Sequence, residues 1–550
     1  MSLSRRVALC ASMALFAIQP LGSAALAEEP AEKSVLVVTI SSLDGLMGDI
    51  AYLAEALGFP QAGQMGTMMA SQYTEGLDDS RPVGIVIQSV GDEMRPLGIL
   101  PVKDLGTFLE GMESQLGEPE DAGDGILELA GPVPVYIKES NGWAFVGQST
   151  DDLENTPADP SAMFEGADKK YDVSMKAHIQ NIPKELRDMA LAQIKEGVEM
   201  GLDELDDEDT DIDAETQRKL VENSIRQWEN MLEGLDTINF GWLTDAKNRK
   251  ILSEMSMTAV EGTKLDRQMD LLKNAKSRFT GFAMDGAAVT MNAAGEMLPE
   301  DIESTINMIE PAREQMNEEI DDSDDLDSEA KPIAKRLANS ILDVVVETVR
   351  TGKFDMGMSV VMNGNEMNMI AGAHIVDGGK LETHIKELAA IAESKGKSVK
   401  VTLNADQHAG VRFHTISIPV PEDEEDARKA LGESVEVAIG VAKESAYVAV
   451  GKKGMALVRQ GIDKSGGSQP IMPATLKVAL TPIMKFAASM DEGNTMLAAI
   501  ASGLEKTTED LIMARVEPID NGAKYEFEMR EGVLNAIGEG IQASREDEIE

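Results

Sequence analysis

Lys353-Phe-Asp-Met-Gly-Met-Ser-Val-Val-Met-Asn-Gly-Asn-Glu-Met-Asn-Met-Ile-Ala-Gly-Ala-His-Ile-Val376 is the stretch from which the rest of the chain is read. Its first half, Phe354 to Met362, is apolar and rich in residues that suit a pleated strand. Asn363-Gly364 then offers the dipeptide that best tolerates the positive φ angles of a tight hairpin turn. Glu366 to Val376 returns as a second strand, and Gly378-Gly379 stops it before a helical run from Lys380 to Ala392. With Asn363-Gly364 as the loop, Met362 pairs with Asn365, Met358 lies across from Met369, and Val360 from Met367. Side chains two apart share a face, so Met356, Met358, Met362, Met367 and Met369 all point the same way.

The first half of the chain repeats this order of elements. Pro82 to Gln88 reads as a strand, a turn falls near Gly91, Arg95 to Leu100 returns, and a helix runs from Lys103 to Leu116. Other segments recur in the same order. Trp143-Ala-Phe-Val matches Ser445-Ala-Tyr-Val, Val173-Ser-Met-Lys-Ala matches Ala474-Thr-Leu-Lys-Val, and Asp245–Met255 matches Asp520–Met529. Two copies are an internal duplication rather than a solenoid, which needs at least ~3 repeats. Hairpins mixed with long amphipathic helices, without regular βαβ alternation, give the expected fold class: α+β, two related modules, each an antiparallel sheet covered by long helices. The modules are expected at 30–275 and 276–545, the second opening with a strand at Phe279–Met284. A chain of 550 residues exceeds what one core usually serves.

Residues 1–27 have the form of a signal peptide. Arg5-Arg6 supply the positive end, Val7 to Ile18 the apolar stretch, and Ala25-Leu26-Ala27 a cleavage site. The expected location is therefore periplasmic or extracellular after cleavage following Ala27, by the general secretory or the twin-arginine route. No later stretch reaches the ~18 apolar residues of a membrane span, so the mature chain is expected to carry none. Cys10, the only cysteine, leaves with the leader. The mature chain then has no disulfide or thiolate chemistry.

Acidic residues number 97 against 50 basic ones, a net charge of −47. Such a surface repels nucleic acid and anionic headgroups, which excludes nucleic acid as an expected partner. It leaves weak divalent-cation association or a basic partner. The acidic runs 203–215 and 321–329 are expected to be mobile. Neither is an EF-hand, because in the first Ile212 replaces the loop glycine and Arg218 the bidentate glutamate.

Two groups of side chains carry possible metal chemistry. Thioethers on one hairpin face, with Met358 and Met369 at its centre, suit Cu(I). The ordinary reading is core packing, since the chain holds 33 methionines. Four of the five histidines, His374, His384, His408 and His414, lie in one stretch. His408, placed in a turn beside Asp406, could meet His414 as a zinc or copper site. Isolated histidines at strand ends are the ordinary reading. No G-x-S-x-G elbow, P-loop, G-x-G-x-x-G or H-E-x-x-H occurs, so no catalytic residue and no cofactor is expected. Trp143, Trp228 and Trp242 are expected in the core.

The leader, an opening strand followed by Ser42-Leu43-Asp44, the duplicated hairpins and the near-absence of cysteine resemble large exported bacterial proteins of unknown function. The resemblance implies no site residues. The expected function is a non-catalytic binding or scaffolding protein of the cell envelope. The alternative is an exported metal-handling protein using the methionine hairpin or the His374–His414 region.

Overall fold

A computed structural model describes residues 33–547 except 92, 130–133, 206–224, 227, 323–330, 395–399, 422, 492 and 506–508. The expected leader, with Cys10, and most of both acidic runs lie outside the described residues. Apart from one two-stranded ladder, the strands belong to a single sheet of 20 strands, antiparallel in each register described below. This corrects the expectation of two modules, each a separate sheet under long helices. Alternation marks a residue run as a strand, but an edge strand's unpaired N–H and C=O groups carry no sequence label for their partner.

The contacts divide the chain into two compact units, residues 1–190 with Leu235–Met257, and Leu191–Gly234 with Thr258–Glu550. These bounds differ from a simple division near 275. The first unit carries β1 (Lys33–Ile40), β2 (Val83–Val90), β3 (Glu93–Pro101), β4 (Pro119–Gly123), β5 (Ile126–Leu129), β6 (Val135–Ser140), β7 (Trp143–Gly147), β8 (Val173–His178), β9 (Leu235–Asp245) and most of β10 (Lys250–Ala259). They pair in the order β10-β9-β8-β1-β2-β3-β7-β6-β5-β4.

In the second unit, β11 (Lys276–Ser277) pairs apart with β19 (Gln469–Pro470). The main ladder holds β12 (Val289–Glu296), β13 (Lys353–Asn363), β14 (Glu366–His374), β15 (Lys400–His408), β16 (Val411–Pro419), β17 (Ser434–Ala442), β18 (Ser445–Val450), β20 (Ala474–Ala479), β21 (Leu511–Ile519) and β22 (Gly522–Arg530). Its order is β22-β21-β20-β12-β13-β14-β18-β17-β16-β15, the order of the first unit strand for strand.

The helices are α1 (Leu43–Ala56), α2 (Pro60–Ser71), α3 (Leu105–Leu116), α4 (Lys184–Leu205), α5 (Lys264–Leu272), α6 (Pro299–Asp322), α7 (Lys331–Val349), α8 (Gly378–Ser394), α9 (Glu425–Leu431), α10 (Gly454–Ser465), α11 (Leu480–Met490), α12 (Thr495–Glu505) and α13 (Glu531–Asp547). The long pair α6 and α7 packs mainly on itself. Arg313 bonds Asn339 and Asp343 across it, and the Asn317 and Asn339 amides exchange hydrogen bonds. Long helices therefore do not roof the sheet as expected, since polar pairs of this kind satisfy a helix face without a sheet beneath it. Capping fixes several starts. Ser42 accepts the Gly45 N–H at α1, Asp104 the Thr107 N–H at α3, and Thr263 the Asp266 N–H at α5.

Aromatic rings lying on glycines close one face of each ladder, and in the first unit a second cluster of Leu105, Leu109, Ile137 and Ala144 covers the β5-β6-β7 part of the other. In the first unit, Val37, Val86, Leu97, Ile99 and Phe145 share a core with Phe164 and Leu153. Phe164 lies on Gly84, where a Cβ would come within 2.4 Å of the ring, and Tyr171 lies on Gly241. In the second unit, the Phe279 and Phe282 rings lie on Gly372 and Phe413 on Gly440, while Gly357 lies against the Phe279 carbonyl and Phe282 Cβ. These rings join Ile370, Ala449 and Val458 in a buried cluster. Phe282 belongs to a 3-10 turn, Thr280–Phe282, and not to the expected strand at 279–284. The backbone there leaves the ladder, and Ser359 donates to the Phe282 carbonyl.

Gly84→Ala should lower stability by roughly 1–3 kcal/mol through overpacking against Phe164, and the double variant with Phe164→Leu should recover part of that loss. Urea midpoints test this; an unchanged midpoint for Gly84→Ala would refute the ring-on-glycine seal.

Candidate functional site

The methionine hairpin forms, with a turn one residue later than expected. Gly364-Asn365 is the loop, with Gly364 at φ +59°, and Asn363 pairs with Glu366. Asn-Gly and Gly-Asn overlap in Asn363-Gly364-Asn365, and glycine at the first central position is what a type II′ turn favours. The register therefore moves by two. Met358 faces Ala371, Val360 faces Met369, and Met362 faces Met367. Because the shift is even, the five methionines keep their common face. Met291 of β12 lies directly across from Met358 on the other side.

That shared face is the open one. On β13 and β14 the buried positions are Gly357, Ser359, Asn368, Ile370 and Gly372, whereas Met356, Met358, Met362, Met367, Met369, Ala371 and Ala373 are half-buried. The methionines therefore lie outside the ring-sealed core. Registers extend the face in both directions. Val289, Met291 and Ala293 pair with Val478, Leu476 and Ala474, which pair with Ile512, Ala514 and Val516, and these with Met529, Phe527 and Tyr525. On the other side Ala371 leads to Val448 and then Ile439. Every residue in that series is aliphatic, aromatic or a thioether. Leu476, Phe527 and Phe354 each remain 39% exposed.

The first unit has the same arrangement. Leu36, Val38 and Ile40 of β1 pair with Ile87, Ile85 and Val83 on one side and with Ala177, Met175 and Val173 on the other. Those continue to Ile238, Phe240 and Trp242. All are half-buried apart from Met175, which is 43% exposed. The Trp242 indole N–H, the one donor among them, is already bonded to Thr244 Oγ1 at 3.1 Å. Trp143 is buried as expected, but Trp228 is exposed on its helix.

The histidines do not converge. His408 lies at the end of β15, not in a turn, and with Asp406 it shares the Phe413 face. There Asp463 and Arg459 of α10 take their side chains, His408 Nε2 lying 2.7 Å from Asp463. His414 follows Phe413 and points to the opposite face, so a His408–His414 metal site is not assembled. His414 is fully buried under α8, accepting the Asn404 N–H at Nδ1 (3.3 Å) with Nε2 3.9 Å from Glu382. Burial holds its pKa below the usual histidine value against the pull of Glu382. Glu382 in turn binds Arg412 and Lys386, and these bonds keep its carboxyl below the usual range. His374 Nδ1 accepts from Arg278, and His384 sits 3.8 Å from Glu387. Among the described residues, no three His, Cys, Asp or Glu side chains are grouped to hold a metal.

Two clefts are lined in part by side chains that bond one another. One of about 590 Å³ in the first unit is lined by Lys33, Gln180, Asn181, Lys184 and Arg187, where Arg187 bonds Gln180 and Lys184 bonds Asp188. The other, about 420 Å³ in the second unit, has Lys264 and Gln268 both bonded to Asp301. Periodicity did not reveal a carboxyl pair, Asp49 of α1 with Asp172 before β8. Burial, then the negative charge and hydrogen bond of Asp172, push the Asp49 pKa up to about 7. Asp172 is fixed by the Thr244 N–H at 2.5 Å and by backbone bonds to Ser41 and Trp242. The proton that Asp49 shares with it thus ties α1 to the end of the β1-β8-β9 ladder.

The site and fold together define a mostly antiparallel sheet protein with an apolar open face in each unit. No described helix is long and apolar enough to cross a membrane. No family model, curated protein or solved structure matches the chain.

Asp49 binds its proton more tightly in the folded chain than in the unfolded one. Its contribution is therefore intact below about pH 4 and is lost as pH rises toward and past 7. The melting temperature of Asp49→Asn relative to wild type should rise over that window; a pH-independent difference would refute the shared proton.

Proposed function

We propose that this chain is an exported, non-catalytic binding protein of the cell envelope, built by internal duplication, which takes apolar ligands on the open sheet face of each unit. One observation carries the reading. Sheet positions flanked by paired strands on both sides, where a packed core is expected, stay half-buried and uniformly apolar. Soluble proteins seldom leave contiguous apolar surface of this kind without a use for it. The lone leader cysteine, the leader sequence and the acidic balance fit an exported chain kept soluble by its charge while it handles apolar cargo.

A second reading is Cu(I) handling at Met291, Met358 and Met369, favoured by the direct pairing of Met291 with Met358 and the common face of all three. Cu(I) titration of the mature chain, with and without Met291→Leu and Met358→Leu, separates the two.

Binding of N-phenyl-1-naphthylamine tests the first reading. Fluorescence should rise saturably, and Ile85→Asp or Met358→Asp should each weaken part of the signal about tenfold, since a charge placed on such a face resists desolvation. No enhancement, or enhancement indifferent to both variants, would remove the open faces as binding surfaces.

A further inference from the structure

Resting on that binding reading, we infer that each open face takes the acyl chains of a neutral or zwitterionic lipid, so that the chain carries one lipid per unit. The lining decides the class of occupant. From Tyr525–Met529 through Met356–Met362 to Ile439, the second unit's face offers thioethers, aliphatic groups and aromatic rings. The Tyr525 hydroxyl, at its margin, is the one side-chain hydrogen-bonding group in that series. In the first unit's series of paired face residues, the one side-chain donor, the Trp242 indole N–H, is already used by Thr244. The strand backbones beneath are committed to ladders on both sides, so no main-chain group is left for a peptide or sugar to bond. A ligand with polar groups would surrender its hydration there without replacement. A hydrocarbon chain loses nothing of the kind.

A protein partner fits less well. Stable protein interfaces carry about one hydrogen bond per 100–200 Å² and draw their binding energy from Trp, Tyr and Arg anchors. The second unit's face instead centres on Met291, Met356, Met358, Met362, Met367 and Met369, unbranched side chains that conform to an irregular, mobile chain. Charge narrows the head group. A net charge of −47 opposes an anionic one and leaves neutral or zwitterionic lipids favoured. The common strand order puts the same kind of face in both units, which sets the expected stoichiometry at two.

The test incubates the mature protein with phosphatidylcholine vesicles, removes them, and weighs the protein by native mass spectrometry. Up to two bound phospholipids are expected, with at least about tenfold less uptake from phosphatidylglycerol vesicles. Val38→Asp should abolish one and Met358→Asp the other, and Ala371→Trp, which fills the second face without adding charge, should act as Met358→Asp does. Circular dichroism confirms that each variant is folded. Naphthylamine binding without any bound phosphatidylcholine would overturn the lipid assignment and leave the binding reading intact. Absence of both would overturn both. A single lipid lost equally in Val38→Asp and Met358→Asp would overturn the two-site stoichiometry.

Discussion

Aromatic rings resting on strand glycines are the constraint on which the rest of this structure depends. A sheet has two faces, and a glycine in a strand gives up packing on its own account. Here Gly84, Gly241, Gly372 and Gly440 give that space to Phe164, Tyr171, Phe279, Phe282 and Phe413. Twelve phenylalanines are few for a chain of 550 residues, and five of them are buried to the last few per cent. Each buried ring contributes about 1.5–3 kcal/mol. They are spent on one side of each ladder, and the other side carries methionine and aliphatic side chains with a few half-exposed rings, Phe354 and Phe527 among them.

Buried polar groups reinforce the sealed side. Thr39 and Ser174 share a hydrogen bond of 2.6 Å between neighbouring strands, and Glu254 accepts Lys170 at 2.6 Å and the Tyr171 hydroxyl beside Gly241. A buried carboxylate of this kind is costly unless bonded, and here two donors meet it. On the open face the buried charge lies at one margin, where α8 brings Glu382 over His414 and Arg412.

Much of the local structure is legible in the sequence. Both hairpins, the common face of the five methionines and the buried Trp143 follow from alternation and turn chemistry. The turn itself is misread by one residue because Asn363-Gly364-Asn365 contains two acceptable turns, and only tertiary pairing chooses between them. Phe279–Met284 reads as a strand because its composition suits one, yet both its rings are needed on Gly372, which strand geometry cannot deliver. Sheet continuity and the self-packing of α6 with α7 are absent from any local pattern, since both are decided by distant partners. So is the site. Alternation says that Met358 and Ser359 point to opposite faces, but which face finds a ring to cover it depends on residues some 80 positions away. His408 and His414 are separated by the same parity rule once β15 and β16 are both recognised as strands.

The most direct test of one sealed and one open face uses the chain with its single cysteine, Cys10, replaced by serine. Single variants Met358→Cys and Ala371→Cys on the open face, and Ser359→Cys and Ile370→Cys on the sealed one, are alkylated under native conditions. The account predicts that the first pair reacts within about tenfold of an unfolded control and the second about a hundredfold more slowly, at the rate of opening of the core. Equal protection of all four would contradict it.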